Sequence, residues 1–315
     1  MAAADHSPDG SRGHCPVIVG PTAVGKTGLV TALATRFPIE VISLDSRQIY
    51  HGLRIGTAQP TGEEQSICRH HLIDFLPPDE KYDALRFRTD FERTYLEITG
   101  RGGVPILVGG AGMYLTALRE GFMAIPGSTP ESLAAARQEL ELLTDEETRR
   151  RLEQVDPGSF AAIHANDRYR SQRALEIHLI SGRTMSDLKA AQVPDPSLGL
   201  DFPTYVLERP VDDTDERIAR RTAQMLAEGW IPETEKALTQ YPADCPGLLS
   251  IGYREIVAHL QGQLDRPDLA PAIVMVTRQY AKRQRTWFRH IPAVWRGVPD
   301  NQALISSLSK VIPPI

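Results

Sequence analysis

The chain has 315 residues, of which 41% are hydrophobic and 24% charged, a composition typical of a globular protein with one large or two smaller domains. Its net charge of −5 excludes a global basic field, so any binding to nucleic acid must use local patches. It has no apolar run of membrane-span length, and its polar N-terminus is unlike a signal peptide. We therefore expect a cytoplasmic protein without membrane association, with a disordered leader over residues 1–14.

A phosphate-binding loop follows the first predicted strand. Residues 17–19 are an apolar run, and residues 20–27 read GPTAVGKT, a full match to the P-loop pattern G-x-x-x-x-G-K-S/T. Apolar residues at helical spacing follow, so strand, loop and helix come in the required order. Lys26 can neutralise an outer phosphate, and Thr27 can bind Mg²⁺. The pattern predicts a di- or triphosphate site formed by Gly20, Pro21, Thr22, Ala23, Val24, Gly25, Lys26 and Thr27.

The other strand and helix signals predict an α/β fold with a helical insertion. Strand-type runs at residues 41–44, 105–108 and 205–207 alternate with helical patterns, as in a doubly wound parallel sheet. From about residue 126 to 200 there are helical runs and no strand signals. We predict a P-loop NTPase-like parallel sheet core (residues 15–125 and 201–298), an inserted all-helical subdomain (126–200) and a tail (299–315).

An acidic residue lies where ligands bind in such a sheet. Residues 40–44 read as a strand, so Asp45 falls just past its carboxyl end, at the edge from which the P-loop also opens. A carboxylate there can accept a proton from a nucleophile that faces the phosphates. Position alone leaves two other interpretations open, a helix N-cap and Mg²⁺ ligation.

The strand at residues 104–108 ends in glycines. It is followed by Gly109-Gly110-Ala111-Gly112 and not by the acid with which a motor-type NTPase helps to hold Mg²⁺. Asp74 is a weak alternative, because only two apolar residues precede it. The glycines disfavour an ATPase and permit close backbone approach to a substrate.

A basic run near the C-terminus predicts a nucleic-acid contact. On a helix its cations are spaced four, three and four residues apart and form one stripe, with Tyr280 and Trp287 on another face. A cationic stripe fits binding to a phosphate backbone, and the alternative is a solvated helix face. The cationic stripe consists of Arg278, Lys282, Arg285 and Arg289.

A smaller group of arginines lies in the predicted insertion. Arg168, Arg170 and Arg173 can add a second contact to nucleic acid. The alternative is a set of surface salt bridges to Asp167 and Glu176.

Eight segments together resemble the bacterial tRNA dimethylallyltransferases, the tRNA isopentenyltransferase (IPP transferase) family. The resemblance runs from residue 16 to about residue 290. It implies a P-loop core with an inserted tRNA-binding helical domain. It also implies transfer of a dimethylallyl group from dimethylallyl diphosphate to N6 of the adenosine 3′-adjacent to the anticodon, in tRNAs that read codons beginning with U. The segments are GPTAVGKT (20–27), SLDSRQIY (43–50), IGTAQP (55–60), HHLID (70–74), LVGGAGMY (107–114), SGRT (181–184), IGYRE (251–255) and TRQYAKRQRTWFR (277–289).

The resemblance also implies roles for single residues. Asp45 would be the general base for the N6 proton, Thr22 and Arg217 would act on the departing diphosphate, and Thr27 would bind Mg²⁺. The partners would be tRNA and dimethylallyl diphosphate, and we expect a monomer. The implied tRNA contacts, including three residues of the cationic stripe, are Asp45, Ser46, Arg47, Gln48, Ala111, Tyr169, Arg170, Ser171, Gln172, Arg173, Ser250, Ile251, Gly252, Tyr253, Arg254, Arg278, Lys282 and Arg285.

Three positions depart from the family pattern. Ala111 stands where Thr is usual, Gln59 where Lys is common and Leu133 where an arginine is often found. Each departure puts one polar contact to tRNA or phosphate in doubt.

Three other functions remain open from the sequence. A small-molecule kinase or NTPase is disfavoured by the missing acid after residue 108. An adenylate isopentenyltransferase is disfavoured by the cationic stripe and the insertion, which suit a macromolecular acceptor. A non-catalytic RNA-binding protein is disfavoured because Lys26, Thr27 and Asp45 are all intact.

Overall fold

A computed structural model describes residues 13–299 and 302–312, so all but the last two residues of the predicted leader lie outside the described residues. The described chain forms a parallel sheet with strand order β3-β2-β4-β1-β5-β6, which confirms the predicted α/β fold. The strands are β1 (Val17–Val19), β2 (Ile39–Leu44), β3 (His70–His71), β4 (Val104–Gly109), β5 (Thr204–Leu207) and β6 (Trp295–Gly297).

Helices, with loops between them, connect these strands in the described chain. Among them, none is long and apolar enough to cross a membrane. They are α1 (Lys26–Ala34), α2 (Gly62–Ile67), α3 (Ala84–Gly100), α4 (Gly112–Glu120), α5 (Pro130–Glu141), α6 (Asp145–Val155), α7 (Pro157–Ala162), α8 (Arg168–Ser181), α9 (Met185–Ala190), α10 (Val211–Ala227), α11 (Trp230–Leu238), α12 (Tyr253–Leu260), α13 (Arg266–Arg289) and α14 (Gln302–Leu308).

The sheet is buried on both faces, and neighbouring residues of a strand enter different cores. Val17 and Val19 pack in one apolar cluster, whereas Ile18 between them packs in the other. This alternation follows from the two-residue period of a strand. Strands covered on both faces read as continuous apolar runs, which is why β1 was recognisable in the sequence.

The carboxyl ends of β1, β2 and β4 meet at one edge of the sheet. The carbonyl of Leu44, the last residue of β2, accepts the N–H groups of Gly110 and Ala111, each at 3.0 Å. A Cβ on Gly109 would lie 2.0 Å from that same carbonyl oxygen, so only glycine allows this approach. The glycine run after β4 therefore lies directly beside Asp45.

Residues 120–195 form a separate compact unit. Its interior is a cluster of apolar side chains from α5 to α9, among them Leu140, Leu152 and Leu175. The insertion was predicted over residues 126–200 because helical runs occur there without strand signals. The compact unit spans residues 120–195, and at its two ends the N–H of Asp195 donates to the carbonyl of Glu120 at 3.2 Å.

The predicted tail is wrong for residues 302–312. Leu304, Leu308 and Ile312 are fully buried against the core cluster that includes Leu33. Their spacing of four residues is the signal of an amphipathic helix, which a tail assignment overlooked.

Candidate active site

The P-loop connects β1 to α1 in a conformation that favours glycine. Gly25, the residue before α1, has a φ of 108°, and Ala23 is also left-handed with a φ of 63°. The ammonium of Lys26 donates to the carbonyls of Gly20 (2.9 Å) and Pro21 (3.0 Å). Burial of that ammonium lowers the pKa of Lys26 to about 8, although the charge of nearby Asp45 acts in the opposite direction.

A cavity of about 650 Å³ opens at this edge of the sheet. Its lining includes Asp45 and, from the P-loop, Thr22, Ala23, Gly25, Lys26 and Thr27, which together we call the diphosphate end. Its lining also includes Gly56–Ala58, Ser250 and Ile251, which we call the far end. The cavity therefore joins a phosphate-binding loop to a region that can hold a second reactant.

Asp45 caps a turn and not a helix, and its role as a base remains a prediction. Its Oδ1 accepts the N–H groups of Arg47 (2.8 Å) and Gln48 (3.2 Å), which is the capping geometry of an aspartate turn. Among the described residues these hydrogen bonds use Oδ1 alone. The carboxylate lines the cavity, so Oδ2 is available to accept a proton.

Three arginines that follow β5 in the chain donate hydrogen bonds to the P-loop. Arg209 donates to the carbonyl of Val24 and Arg217 to that of Ala23, each at 2.8 Å, and Arg221 donates to the hydroxyl oxygen of Thr22. Burial lowers the pKa of Arg221, and the neighbouring charge of Arg217 adds to this effect.

The resemblance had indicated Arg217 but neither of the other two arginines. Arg221 lies one helical turn after Arg217 on α10 and therefore shares its face. That spacing was the signal that could have found it.

The face of α13 that lines the cavity was also not predicted from the sequence. Ile273, Thr277, Tyr280 and Gln284 line the cavity at a spacing of four, three and four residues. Burial raises the pKa of Tyr280, and the carboxylate of Asp45 raises it further. The same helix therefore carries a cavity face beside the cationic stripe.

The members of the cationic stripe differ in exposure. Arg278, Lys282 and Arg289 are exposed, and Arg278 forms an ion pair with Asp215 (Nε to Oδ2, 3.2 Å). Arg285 is half-buried, and one of its terminal nitrogens is buried without a hydrogen bond. Its role in binding tRNA remains a prediction.

The arginines of the helical unit match the salt-bridge alternative. Arg170 pairs with Asp167 at 3.2 Å, and Arg173 pairs with Glu176 at 2.9 Å. Arg168 pairs with Asp145.

Their neighbours on α8 divide between surface and interior. Tyr169 is 80% exposed, whereas Ser171 is fully buried and therefore has no surface to offer. Gln172 donates to the carbonyl of Leu140 at 3.0 Å, inside the same unit.

The segment from Ser250 to Arg254 leads into α12. Gly252 has a φ of 89°, and a Cβ there would lie 2.0 Å from the ring of Trp230. Tyr253 is fully buried, and its hydroxyl accepts the N–H of Gly56 at 3.0 Å. Arg254 is exposed and bonds to Glu255 at 3.0 Å.

The other predicted tRNA contacts follow Asp45 and β4. Ser46, Arg47 and Gln48 line the cavity. Gln48 is fixed by donating to the carbonyl of Ala58 at 2.8 Å. Ala111 begins the turn into α4 and packs against the core.

One departure from the family pattern has a structural use. The amide nitrogen of Gln59 donates to the carbonyls of Gln48 (2.8 Å) and Tyr50 (3.0 Å). Gln59 therefore holds the backbone of residues 48–50, the segment that follows Asp45.

Known proteins match this chain over most of its length. A sequence profile described as IPP transferase matches residues 48–291, and one described as isopentenyl transferase matches residues 14–76. A tRNA dimethylallyltransferase 1 of Trichlorobacter lovleyi is 40% identical over 297 residues, which are 92% of this chain and 96% of that protein. A tRNA dimethylallyltransferase of an Anaeromyxobacter species is 38% identical over 95% of this chain and 98% of its own.

Solved structures of similar proteins share the fold. The tRNA isopentenylpyrophosphate transferase of Staphylococcus epidermidis superimposes with a TM-score of 0.67 at 31% identity, covering 95% of this chain and 99% of that one. A eukaryotic dimethylallyltransferase acting on tRNA gives a TM-score of 0.78 at 26% identity, over 95% of this chain and 79% of that one. The profile match, the relatives and the arrangement of the cavity agree, and the chain belongs to the IPP transferase family.

Proposed function

We propose that this protein is a tRNA dimethylallyltransferase. It transfers a dimethylallyl group from dimethylallyl diphosphate to N6 of the adenosine 3′-adjacent to the anticodon, in tRNAs that read codons beginning with U. The observation that carries the proposal is one cavity with a P-loop at one end and the carboxylate of Asp45 beside it. Such a cavity can hold a diphosphate leaving group and accept a proton from the incoming amine.

The cationic side chains at the diphosphate end of the cavity stabilise the charge that develops in the reaction. An allylic C–O bond breaks readily because the resulting cation is delocalised, so the protein mainly has to stabilise the departing diphosphate. The ammonium of Lys26 lines the cavity, and Arg217 and Arg221 line it from α10. These donors already bond to the P-loop, so little reorganisation is required when charge develops.

Asp45 supplies the acid–base part. The N–H groups of Arg47 and Gln48 fix its Oδ1 and thereby orient the carboxylate. Its Oδ2 can take the proton that the N6 amine loses on alkylation. The target adenine has to leave the stack of the anticodon loop to reach this carboxylate, as in other base-modifying enzymes.

A magnesium ion would fit the site through oxygen donors. The part of the chain that the structure describes has no cluster of three His, Cys, Asp or Glu residues that could hold a metal ion. The hydroxyl of Thr27 lines the cavity, and Mg²⁺ is commonly held by few protein oxygens together with phosphate and water. When bound, the ion would neutralise charge on the diphosphate. We propose Thr27 as its protein ligand.

Asp74, the weak candidate for the acid that an NTPase would require, is engaged elsewhere. Asp74 accepts the N–H of Gly52 at 2.8 Å and pairs with Arg54. It does not line the cavity. This arrangement supports a prenyl donor over ATP, and we further propose that the protein acts as a cytoplasmic monomer.

Competition binding tests the choice of donor. In the presence of Mg²⁺, dimethylallyl diphosphate should displace a fluorescent diphosphate probe at concentrations about tenfold lower than ATP does, a difference of about 1.4 kcal/mol. Equal or tighter binding of ATP would contradict the proposed donor.

A further inference from the structure

Gln284 joins the two loops at the diphosphate end of the cavity. Its side chain lies on α13 and is nearly fully buried. The amide oxygen accepts the N–H of Thr22 at 2.8 Å, and the amide nitrogen donates to the carbonyl of Gly110 at 3.1 Å. A Cβ on Gly110 would lie 2.2 Å from that nitrogen, so the loop after β4 approaches the amide closely. One side chain therefore connects α13, the P-loop and the loop after β4.

Thr22 is thereby held from two sides. Gln284 fixes its backbone, and its hydroxyl oxygen accepts a hydrogen bond from Arg221. A guanidinium can only donate, so the hydroxyl proton of Thr22 remains available for another acceptor. Thr22 lines the cavity, where the acceptor at this end would be a diphosphate oxygen.

We propose that Gln284 is a positioning residue for departure of the diphosphate. It places Thr22 where its hydroxyl can donate to the leaving group, and this role rests on the proposed function. The position requires an amide, because only an amide offers an acceptor to Thr22 and a donor to Gly110 at once. A carboxylate would keep the first hydrogen bond and oppose the carbonyl of Gly110, whereas a protonated carboxyl would restore the missing donor.

Three variants and one probe test the proposal. The probe is inorganic diphosphate, and its affinity is measured alongside the single-turnover rate of tRNA prenylation. Gln284→Met keeps the volume and removes both hydrogen bonds, and Gln284→Glu removes the donor alone. Gln279→Met is the matched control, because Gln279 is exposed on the same helix and does not line the cavity.

Gln284→Met should weaken binding of inorganic diphosphate by about tenfold and slow single-turnover prenylation by at least as much, since two hydrogen bonds are lost. Its affinity for tRNA should stay within about twofold of wild type, as expected for separate sites. For Gln284→Glu, diphosphate affinity and prenylation rate should both be below those of wild type. Both differences should shrink as the pH is lowered from about 8 to about 5.5, because a buried glutamate protonates in this range. Gln279→Met should match wild type throughout.

The outcomes separate this proposal from the proposed function. Diphosphate affinity of Gln284→Met equal to that of wild type would overturn the positioning role. If Gln284→Met does not fold, a pH-independent deficit in Gln284→Glu would overturn it instead. A wild-type protein that binds diphosphate and does not prenylate tRNA would overturn the proposed function, while the effect of Gln284 on diphosphate binding could still be measured.

Discussion

At the scale of single residues, the two oxygens of Asp45 have different surroundings. Oδ1 is held by the N–H groups of Arg47 and Gln48, and the carboxylate lines the cavity that the P-loop also lines. A residue that caps a turn can thus also act as a base, because the two tasks use different oxygens of one carboxylate.

Asp45→Asn separates these two tasks. The amide keeps an oxygen for the N–H groups of Arg47 and Gln48, so thermal stability and tRNA affinity should stay near those of wild type. It cannot accept a proton, and we expect single-turnover prenylation to fall by about 10²–10⁴-fold, the usual contribution of a general base. A variant within a few-fold of the wild-type rate would leave Asp45 with the capping role alone.

The lowered pKa of Lys26 predicts a pH dependence of diphosphate binding. Its ammonium is charged below a pKa of about 8 and loses its charge above it, so affinity for diphosphate should fall as the pH rises through 8. A bound diphosphate favours the charged form, so binding at about pH 8.5–9 should take up a proton. Calorimetry in two buffers of different ionisation enthalpy measures this uptake. Lys26→Arg is the control, because arginine stays charged and should show none.

The same pKa also affects folding, in the opposite direction from binding. An unfolded lysine has a pKa of about 10.4, so between about pH 8 and 10.4 the unfolded chain binds more protons at this residue than the folded chain. Lys26 should therefore make the free energy of unfolding rise with pH across that window.

At the scale of elements, α11 supports the far end of the cavity through one carboxylate. Glu233 accepts the N–H groups of Arg54, Ile55 and Gly56 and the hydroxyl of Tyr253. These bonds hold residues 54–56 immediately before the cavity-lining Thr57 and Ala58. A segment without regular secondary structure is ordered here by a side chain from a distant helix.

Glu233→Gln should disrupt this support. A glutamine has a single acceptor oxygen and brings an NH₂ group toward backbone donors, so we expect the free energy of unfolding to fall by about 1–3 kcal/mol. Chemical denaturation measures this change, and Glu235→Gln on the exposed side of α11 is the control. Affinity for diphosphate should not change, because the P-loop lies at the other end of the cavity. Equal stability of the two variants would contradict this role of Glu233.

The cationic stripe of α13 predicts a salt-dependent contact with tRNA. Lys282 and Arg278 are both exposed, but Arg278 pairs with Asp215, so Lys282 is the simpler residue to test. Lys282→Ala should weaken tRNA binding and reduce the slope of log K against log salt by about 0.7–0.9, the value for one phosphate contact. Arg36 is an exposed cation just after the C-terminal end of α1, and Arg36→Ala should leave both the tRNA affinity and its salt slope unchanged. If Lys282→Ala has the same salt slope as wild type, the stripe does not contact tRNA and is a solvated face.

At the scale of the whole molecule, the two compact units have separate apolar cores. The N–H of Asp195 bonds to the carbonyl of Glu120, so a short linker can replace residues 120–195. We expect this deletion variant to bind inorganic diphosphate within about twofold of the full chain, as for independent sites, and to lose affinity for tRNA. Unchanged tRNA affinity, measured by filter binding at low salt, would contradict a tRNA-binding role for the unit.

The sequence predicted those parts of the fold that have a strong periodic signal. The apolar strands β1 and β4 were found within one residue at each end, because buried parallel strands are continuous apolar runs. The strand β3 was missed, because it is only His70 and His71 and pairs along β2 through its backbone. Such a short edge strand is recognised by its pairing with β2, because its own sequence has no strand pattern.

Some residues of the candidate site could likewise be predicted from the sequence, and others could not. The P-loop and Asp45 could be predicted, because glycines, a lysine and an acid after a strand carry a local signal. Gln284 could not, because its meaning depends on Thr22 and Gly110, which are distant in sequence and adjacent only after folding. Ser171 was indicated by resemblance alone, and its burial shows that a matching position is not always a surface position.

The most direct test of the account is prenylation of tRNA by the purified protein. Unmodified tRNA is incubated with labelled dimethylallyl diphosphate and Mg²⁺, and the digested nucleosides are then separated. The account predicts labelled N6-isopentenyladenosine at the adenosine 3′ of the anticodon, one diphosphate released per label incorporated, and initial prenylation about 10²–10⁴-fold slower with Asp45→Asn. Label on free adenylate, or ATP hydrolysis that does not depend on tRNA, would contradict it.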